Sequence, residues 1–304
     1  MPSPARTEQP HVGVLFRIAS ATAFAAMAAL LKLASGRGVS TPEMIFYRNV
    51  WALPVVAGWI SLGPGWGAVR SRQPLAHLTR SGLGLGSMLL TFGALALLPL
   101  GEATTLTYAA PIFATILSAL VLGEAIGPRR WGAVALGFAG VLLVVHPGSA
   151  KLPILGVLVG IGAAFGQSAV MITLRTIART ESIAAIVFWF TLFTTIAGAA
   201  LLPFFGHRHD MATYALLAAA GLMGGIGQLT MTSSLRHAPV SVVVPFDYLQ
   251  IVWATLFGWL AFATRPTATT LAGAALIAGG GIYTAYREHR RGREPSQART
   301  VPEG

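Results

Sequence analysis

The stretch GVLFRIASATAFAAMAALLK, residues 13–32, is largely apolar and long enough to cross a lipid bilayer as a helix. A related stretch, GVLVGIGAAFGQSAVMITLR, occupies residues 156–175. Gly13 matches Gly156, and the basic residue Lys32 matches Arg175. A chain that repeats a membrane span after about 140 residues is predicted to contain two related membrane units.

The composition favours an all-α integral membrane protein. The chain has 304 residues, of which 54% are hydrophobic and 10% are charged, whereas soluble domains carry about 25% charged residues. Apolar runs separated by short connections rich in Gly and Pro predict ten transmembrane helices. These predicted spans cover residues 12–34, 42–62, 79–98, 102–122, 129–146, 154–174, 183–204, 213–235, 239–262 and 267–286.

The charge distribution predicts how the chain is oriented. Of the 21 Lys and Arg residues, fifteen, including Arg17 and Arg80 at span ends, fall on the side of the N-terminus and five on the opposite side. This bias places both termini in the cytoplasm of a bacterial-type inner membrane. The net charge of +11 is therefore explained by orientation, not by nucleic-acid binding. Residues 287–304 form a basic cytoplasmic tail that is expected to be disordered.

A shift of 140 residues reveals the same repeat in the middle of the chain. It places Pro99 on Pro239 and Tyr108 on Tyr248. The repeats, residues 12–147 and 154–286, hold five predicted spans each. Because five is odd, the second copy enters the bilayer from the opposite side. The predicted fold is thus ten transmembrane helices in two inverted five-helix repeats, a design found in secondary transporters.

Four segments follow one another along the chain: TPEMIFYRN (41–49), FGALALLPLGEATTLTYAAPIFATILSALVLGEAIGPRRWGAVALGFAGVLLVVHPG (92–148), SLRHAPVSVVVPFDYLQIVWATLFGWLAF (234–262) and TLAGAALIAGGGIYTAYRE (270–288). In this order they resemble the drug/metabolite transporter superfamily, in its EamA-type branch. The resemblance extends over residues 12–288, nearly the whole chain. One difference is that Glu124 follows a glycine in the first copy, whereas Thr264 occupies the corresponding place in the second.

The resemblance implies a central cavity between two pseudo-symmetric halves and movement of small organic metabolites. Amino acids, riboflavin and S-adenosylmethionine are among the substrates assigned to relatives. The expected function is therefore secondary transport of a small polar metabolite, such as an amino acid, a nucleoside-like or a vitamin-like compound. Efflux of drugs or surplus metabolites is the alternative within this class. An intramembrane enzyme or a non-transporting membrane protein is the alternative from another class.

Asp247 is the acidic residue that most needs an explanation. It lies in VVVPFDYLQIVWA, residues 242–254, where a carboxylate costs about 2.5–3.5 kcal/mol on insertion scales. Arg48 lies within the second predicted span and is its expected partner, directly or through a bound substrate. The alternatives are an Asp247 that only ties helices together and an Arg48 that extends towards the outer surface beside Glu43.

Other polar residues are weaker candidates for substrate binding or coupling. Each is equally explained by an interhelical hydrogen bond or by packing. Lys32, Glu43 and Glu102 are gate candidates near span ends, although Glu43 and Glu102 also suit helix capping. The binding candidates besides Asp247 and Arg48 are Tyr248, Tyr108, Gln250, Gln228, Gln167 and Trp253.

The expected partners are a small-molecule substrate and the lipid bilayer. The chain contains no cysteine and no GxxxxGK[ST] phosphate loop, so neither thiolate chemistry nor direct ATP use is predicted. No enzyme activity, no metal and no cofactor are expected. The sequence leaves open whether transport is coupled to protons and whether the carrier acts as a homodimer.

Overall fold

The structure is a computed structural model that describes residues 10–110, 112–114, 116–117, 128–145, 152–177, 180–238 and 240–293. Within these ranges every regular element is helical. A short helix, Val240–Val243, and the 3₁₀ turns Trp66–Val69 and Val244–Tyr248 supplement the main helices. The main helices are α1 Pro10–Gly36, α2 Thr41–Leu62, α3 Pro74–Leu97, α4 Leu100–Thr107, α5 Pro128–Val145, α6 Ile154–Ile177, α7 Ile183–Phe205, α8 Met211–His237, α9 Leu249–Phe262 and α10 Ala268–Arg293.

The helices confirm most of the predicted spans. In the described part of the chain, α1, α2, α3, α6, α7 and α8 are each long and apolar enough to cross a membrane. Shorter apolar stretches lie in α5, in α10 and around α9. The predicted fourth span, 102–122, begins in α4, but residues 118–127 lie outside the described ranges.

The ninth span departs from the prediction of one continuous helix over 239–262. The chain forms a 3₁₀ turn at Val244–Tyr248 before α9 begins. Pro245 lies in this turn, and proline has no N–H to donate to the preceding helical turn. The turn places Asp247 directly before α9 rather than inside a regular helix.

The C-terminal region also differs from the prediction. Helix α10 continues to Arg293, so the expected disorder of residues 287–293 is wrong. A helix that leaves a bilayer can continue into water when its last turns carry basic residues that suit the helix C-terminus. The remaining tail, residues 294–304, lies outside the described residues.

The helices of one half pack mainly against helices of the other half. Helix α1 contacts α8 and α9, and its counterpart α6 contacts α3 and α4. Helix α2 contacts α7 and α8, and α7 contacts α2 and α3. The pairs α2–α7, α4–α9 and α5–α10 join counterparts directly. Exchanging the two halves therefore reproduces the packing, as an inverted repeat requires.

Close approaches at glycines show the same symmetry at the level of residues. A methyl group added at Gly13 would lie 2.5 Å from Cβ of Ala238. At its counterpart, Gly156, the added group would lie 2.7 Å from Cδ2 of Leu98. Leu98 and Ala238 are themselves related by the shift of 140 residues. Small residues thus allow α1–α8 and α3–α6 to pack closely in both halves.

Serine caps connect the halves at two further places. Ser40 and Ser182 cap α2 and α7 by accepting hydrogen bonds from backbone N–H groups inside their own helices. The Ser40 hydroxyl also donates to the carbonyl of Phe205, 3.0 Å away. The Ser182 hydroxyl donates likewise to the carbonyl of Ala68. Each cap therefore fixes a helix start against the neighbouring half.

Two buried glutamates make similar connections between the halves. Glu43 completes a capping box with Ser40, as the capping interpretation expected, and also accepts from the His207 N–H at 2.8 Å. Glu181 accepts from the Arg72 N–H at 2.8 Å, and its other oxygen lies 3.3 Å from Nε2 of His77. Both carboxylates thus bind a loop of the opposite half.

The contact between α5 and α10 generates a stability prediction. A methyl group at Gly140 would lie 2.7 Å from the carbonyl oxygen of Gly273. We expect Gly140→Ala to lower the free energy of unfolding by about 1–3 kcal/mol through overpacking. Gly132→Ala on the same helix is the control, because its added methyl meets nothing within 4 Å. Thermal unfolding in detergent measures both, and equal melting temperatures would contradict the predicted packing.

The Glu181 connection generates a prediction on pH. Burial acts to raise the pKa of Glu181, but hydrogen bonds from the Arg72 N–H and from His77 outweigh it and hold the pKa below 4.5. The stabilisation is therefore complete above pH 4.5 and is lost as the pH falls through the lowered pKa.

We expect Glu181→Gln to lower the melting temperature at pH 7, with the difference from wild type narrowing below about pH 4.5. Melting curves between pH 3 and pH 7 measure this difference, with the exposed substitution Arg265→Gln as control. A difference that stays constant over this range would show that Glu181 contributes no stabilising charge.

Candidate functional site

Asp247 forms an ion pair with Arg17 of α1. The Nε and Nη2 atoms of Arg17 each donate to one carboxylate oxygen of Asp247. The two side chains are 8% and 21% exposed. The expected direct pair between Asp247 and Arg48 is therefore wrong, because α9 packs against α1 and α4 while α2 packs against α7 and α8.

Arg17 is the functional candidate that the sequence interpretation missed. It was assigned to the cytoplasmic end of the first span, yet it is 7% exposed within the bundle. A signal for it existed in the repeat, since the matching residue in the second copy is Gly160. Asp247 is similarly matched by Thr107. An ion pair therefore occurs at one of two pseudo-equivalent places.

Tyr108 and Tyr248 mark the pseudo-two-fold axis. Their ring centroids lie 5.7 Å apart with an angle of 52° between the ring planes. Counterparts related by a two-fold axis can touch each other only at that axis, which agrees with the direct contact of α4 and α9. Tyr248 directly follows Asp247 in the chain, so the pair of rings lies next to the ion pair. The structure thus brings these two tyrosines together beside the ion pair.

Arg48 lies deeper in the bundle, on α2. It is 5% exposed, and its Nη1 donates to Oδ1 of Asn49 at 2.6 Å. Its Nε has no acceptor in the described part of the chain. A methyl group at Gly224 would lie 3.0 Å from this Nε, so the glycine gives the guanidinium its room against α8.

Arg80 is a second buried guanidinium that the sequence interpretation assigned to a loop end. It lies on α3, is 6% exposed, and its guanidinium carbon is 4.3 Å from the centroid of the Phe190 ring. This geometry is a cation–π contact. Arg48 and Arg80 lie on helices that contact each other, α2 and α3, and their like charges interact unfavourably.

The remaining binding candidates lie in different environments. Gln250 and Gln228 are half-buried, whereas Gln167 is exposed on α6. The Trp253 ring stacks on Phe257 with centroids 5.8 Å apart. Its indole Nε1 is buried and has no acceptor among the described residues. Substrate contact by any of these four side chains stays a prediction.

The gate candidates hold helix ends together. Lys32 donates to the carbonyls of Ala96 at 3.2 Å and Leu98 at 2.7 Å, at the C-terminal end of α3. This position suits a cation, because a helix C-terminus carries partial negative charge. Glu102 accepts from the Thr270 hydroxyl at 3.3 Å, which connects the start of α4 to the start of α10.

The site is equipped for recognition. It contains guanidiniums, a carboxylate, phenol rings and an indole, which bind polar groups and stack on planar ones. Within the ranges that the structure describes, no three His, Cys, Asp or Glu side chains are placed to hold a metal ion. Chemically, side chains of these kinds can hold a polar organic molecule by hydrogen bonds and stacking.

A family comparison agrees with this fold and its repeat. The model of the EamA-like transporter family matches this chain twice, over residues 11–146 and again over residues 154–286. The chain belongs to the EamA-like transporter family. It is a multi-pass membrane protein that carries small molecules, and the family indicates a transporter rather than an enzyme.

Curated relatives of this EamA-like transporter have different cargoes. A riboflavin transporter from Rhizobium johnstonii is 34% identical, with the match covering 76% of this chain and 77% of the relative. A pseudopaline exporter from Pseudomonas aeruginosa is 28% identical over 87% and 93% of the two chains. A solved crystal structure with 22% identity shows the same fold, with a TM-score of 0.66 over 92% of this chain and 98% of that chain.

The Arg17–Asp247 pair generates a prediction on stability. Removing one partner of a buried ion pair leaves an uncompensated charge and typically costs about 3–5 kcal/mol. We expect Arg17→Gln to lower the melting temperature in detergent strongly, and Arg17→Met with Asp247→Leu to recover most of the loss.

Arg265→Gln provides the matched control, because Arg265 is exposed. If Arg17→Gln melts at the same temperature as Arg265→Gln, the ion pair does not hold α1 to the start of α9.

Proposed function

We propose that the protein is a secondary transporter that moves small polar organic metabolites by alternating access. It would act in a bacterial inner membrane, with both termini in the cytoplasm. The observation that carries this proposal is the set of polar groups beside the pseudo-two-fold axis, at Tyr108, Tyr248, Asp247 and Arg17. Secondary transporters of inverted-repeat design bind substrate at such an interface between halves.

The proposed movement uses the pseudo-equivalent contacts of the two halves. Gly13 packs against Ala238 on the cytoplasmic side of this orientation, and Gly156 packs against Leu98 on the other side. Opening one contact while keeping the other would expose the axis to one side of the membrane at a time. Since the halves have the same fold, each can adopt the conformation of the other, and the same helices serve both states.

The ion pair makes the two sides chemically different. Arg17 and Asp247 join α1 to α9, whereas their counterparts Gly160 and Thr107 lie where α6 meets α4. A methyl group at Gly160 would lie 3.0 Å from Leu106, so that contact is made by apolar packing. A proton or a substrate that competes for Asp247 would therefore release the cytoplasmic side only. We propose Asp247 as the coupling residue on this basis.

The alternative direction of transport has specific support. The Pseudomonas aeruginosa relative is an exporter, and inverted repeats allow movement either way. An exporter of surplus metabolites would use the same axis and the same ion pair. Import and export differ only in which side loads the substrate.

Reconstitution in proteoliposomes tests the proposed function. Labelled riboflavin, S-adenosylmethionine and an amino-acid mixture are offered with and without a pH gradient, in uptake and in counterflow. We expect saturable movement of at least one compound that protein-free vesicles lack, and a changed pH dependence in Asp247→Asn. Arg265→Gln is the control variant. Absence of uptake and of counterflow for every compound would contradict the proposal.

A further inference from the structure

We propose that Arg48 and Arg80 together bind the carboxylate or phosphate group of a small organic anion. This inference rests on the proposed function, because it names the chemical class of the substrate at the interface between halves. It assigns a positive site that lies apart from the Arg17–Asp247 pair. Arg48 contacts the same glycine, Gly224, as the Met27 sulfur, and Met27 is about 15 Å along α1 from Arg17.

The first observation is that both guanidiniums are buried and incompletely bonded. Arg48 and Arg80 are 5% and 6% exposed. In the described part of the chain, Nε of Arg48 and the Nε and Nη1 of Arg80 lack hydrogen-bond acceptors. Phe190 covers one face of the Arg80 guanidinium, but a ring face does not accept from in-plane N–H groups as an oxygen does. Three buried donors are thus available to a ligand.

The second observation is that the described acidic side chains are engaged elsewhere. An intramembrane arginine normally pairs with a carboxylate or with backbone carbonyls. Here each carboxylate whose side chain the structure describes has another partner, so none of these balances Arg48 or Arg80. Those partners are His209 for Glu43, Thr270 for Glu102, His77 for Glu181, Thr213 for Asp210 and Arg17 for Asp247.

The third observation is that Arg48 and Arg80 lie on α2 and α3, two helices that contact each other. The Arg48 and Arg80 charges repel each other, and repulsion is poorly screened where water is excluded. Two adjacent buried cations are tolerable when an anion lies between them. An anion that binds both would remove the repulsion and would satisfy the unused N–H groups at the same time.

The fourth observation comes from the pseudo-symmetry. The capping serines Ser40 and Ser182 set the register, in which Phe190 is the counterpart of Arg48. Gly84 and Gly224 are likewise counterparts, and a methyl at Gly84 would lie 2.5 Å from Phe190 and 2.6 Å from Nη1 of Arg80. Arg48 and Arg80, both in the first half, thus each lie beside one of two counterpart glycines, and Phe190 takes the place of Arg48 at the second of them.

The chemistry of the site favours an oxyanion on an organic body. Guanidinium forks bind carboxylate and phosphate oxygens with two parallel hydrogen bonds. The Phe190 ring and the Met27 sulfur offer apolar and aromatic surface next to these forks. Carboxylates and phosphomonoesters share the recognised chemistry, and the experiment below distinguishes them.

Thermal unfolding of the full chain in detergent tests the anion site. The probes are succinate, citrate and inorganic phosphate, each against sodium chloride of the same ionic strength, with neutral succinamide as the isosteric control. We expect at least one anion to raise the melting temperature by several degrees, while succinamide does not. No rise above chloride with any of the three anions would overturn the proposal.

Variants assign the effect to the two arginines. Arg48→Lys and Arg80→Lys keep the buried positive charge but lose the planar guanidinium that binds an oxyanion with two parallel hydrogen bonds. We therefore expect the apparent Kd for the effective anion to rise at least tenfold. Arg70→Lys is the matched control, because Arg70 is exposed. Wild-type affinity in both lysine variants would overturn the proposal. Stabilisation by phosphatidylglycerol alone would assign the cations to a lipid headgroup and overturn it as well.

The outcome is separable from that of the proposed function. Anion binding without transport of any compound in proteoliposomes would contradict the transporter proposal only. Transport of neutral metabolites at the wild-type rate by Arg48→Gln and Arg80→Gln, together with no anion binding, would contradict the anion site only.

Discussion

Close packing between the two halves at small residues is the constraint from which the rest of the structure follows. Helix α1 lies on α8 through Gly13, and α6 lies on α3 through Gly156. Lipid tails are as apolar as leucine, so tight van der Waals contact at small residues is what holds membrane helices together. Because the strongest contacts run between the halves, neither half is complete without the other. Polar groups on facing helices therefore meet at the axis.

Charge at that axis is distributed unequally. The ion pair of Arg17 and Asp247 neutralises itself, while Arg48 and Arg80 are two cations with no described carboxylate between them. In a medium of low dielectric constant a paired charge fixes helices, and an unpaired charge attracts a counterion. The first arrangement suits a contact that opens and closes. The second suits the capture of a charged group.

The sequence predicted the architecture better than it predicted the pairs. The repeat placed Tyr108 on Tyr248, and the structure brings these rings together, since counterparts on a two-fold axis must meet. Asp247 was expected to pair with Arg48, but the sequence alone does not determine which helices adjoin. Arg17 and Arg80 were assigned to span ends because a basic residue near an apolar run usually extends to the surface. The repeat already showed that the counterpart of Arg17 is a glycine, Gly160. Such a mismatch identifies a buried charged residue more reliably than the position of that residue in its span.

The opposite orientation of the two copies is the central claim, and labelling in intact cells tests it most directly. The chain has no cysteine, so single substitutions Arg70→Cys and Arg208→Cys introduce unique thiols at exposed positions. These positions lie in the matching loops α2–α3 and α7–α8. A membrane-impermeant maleimide is predicted to label Arg208→Cys in intact cells, and Arg70→Cys only after permeabilisation. Labelling of both variants from the same side would contradict the inverted repeat.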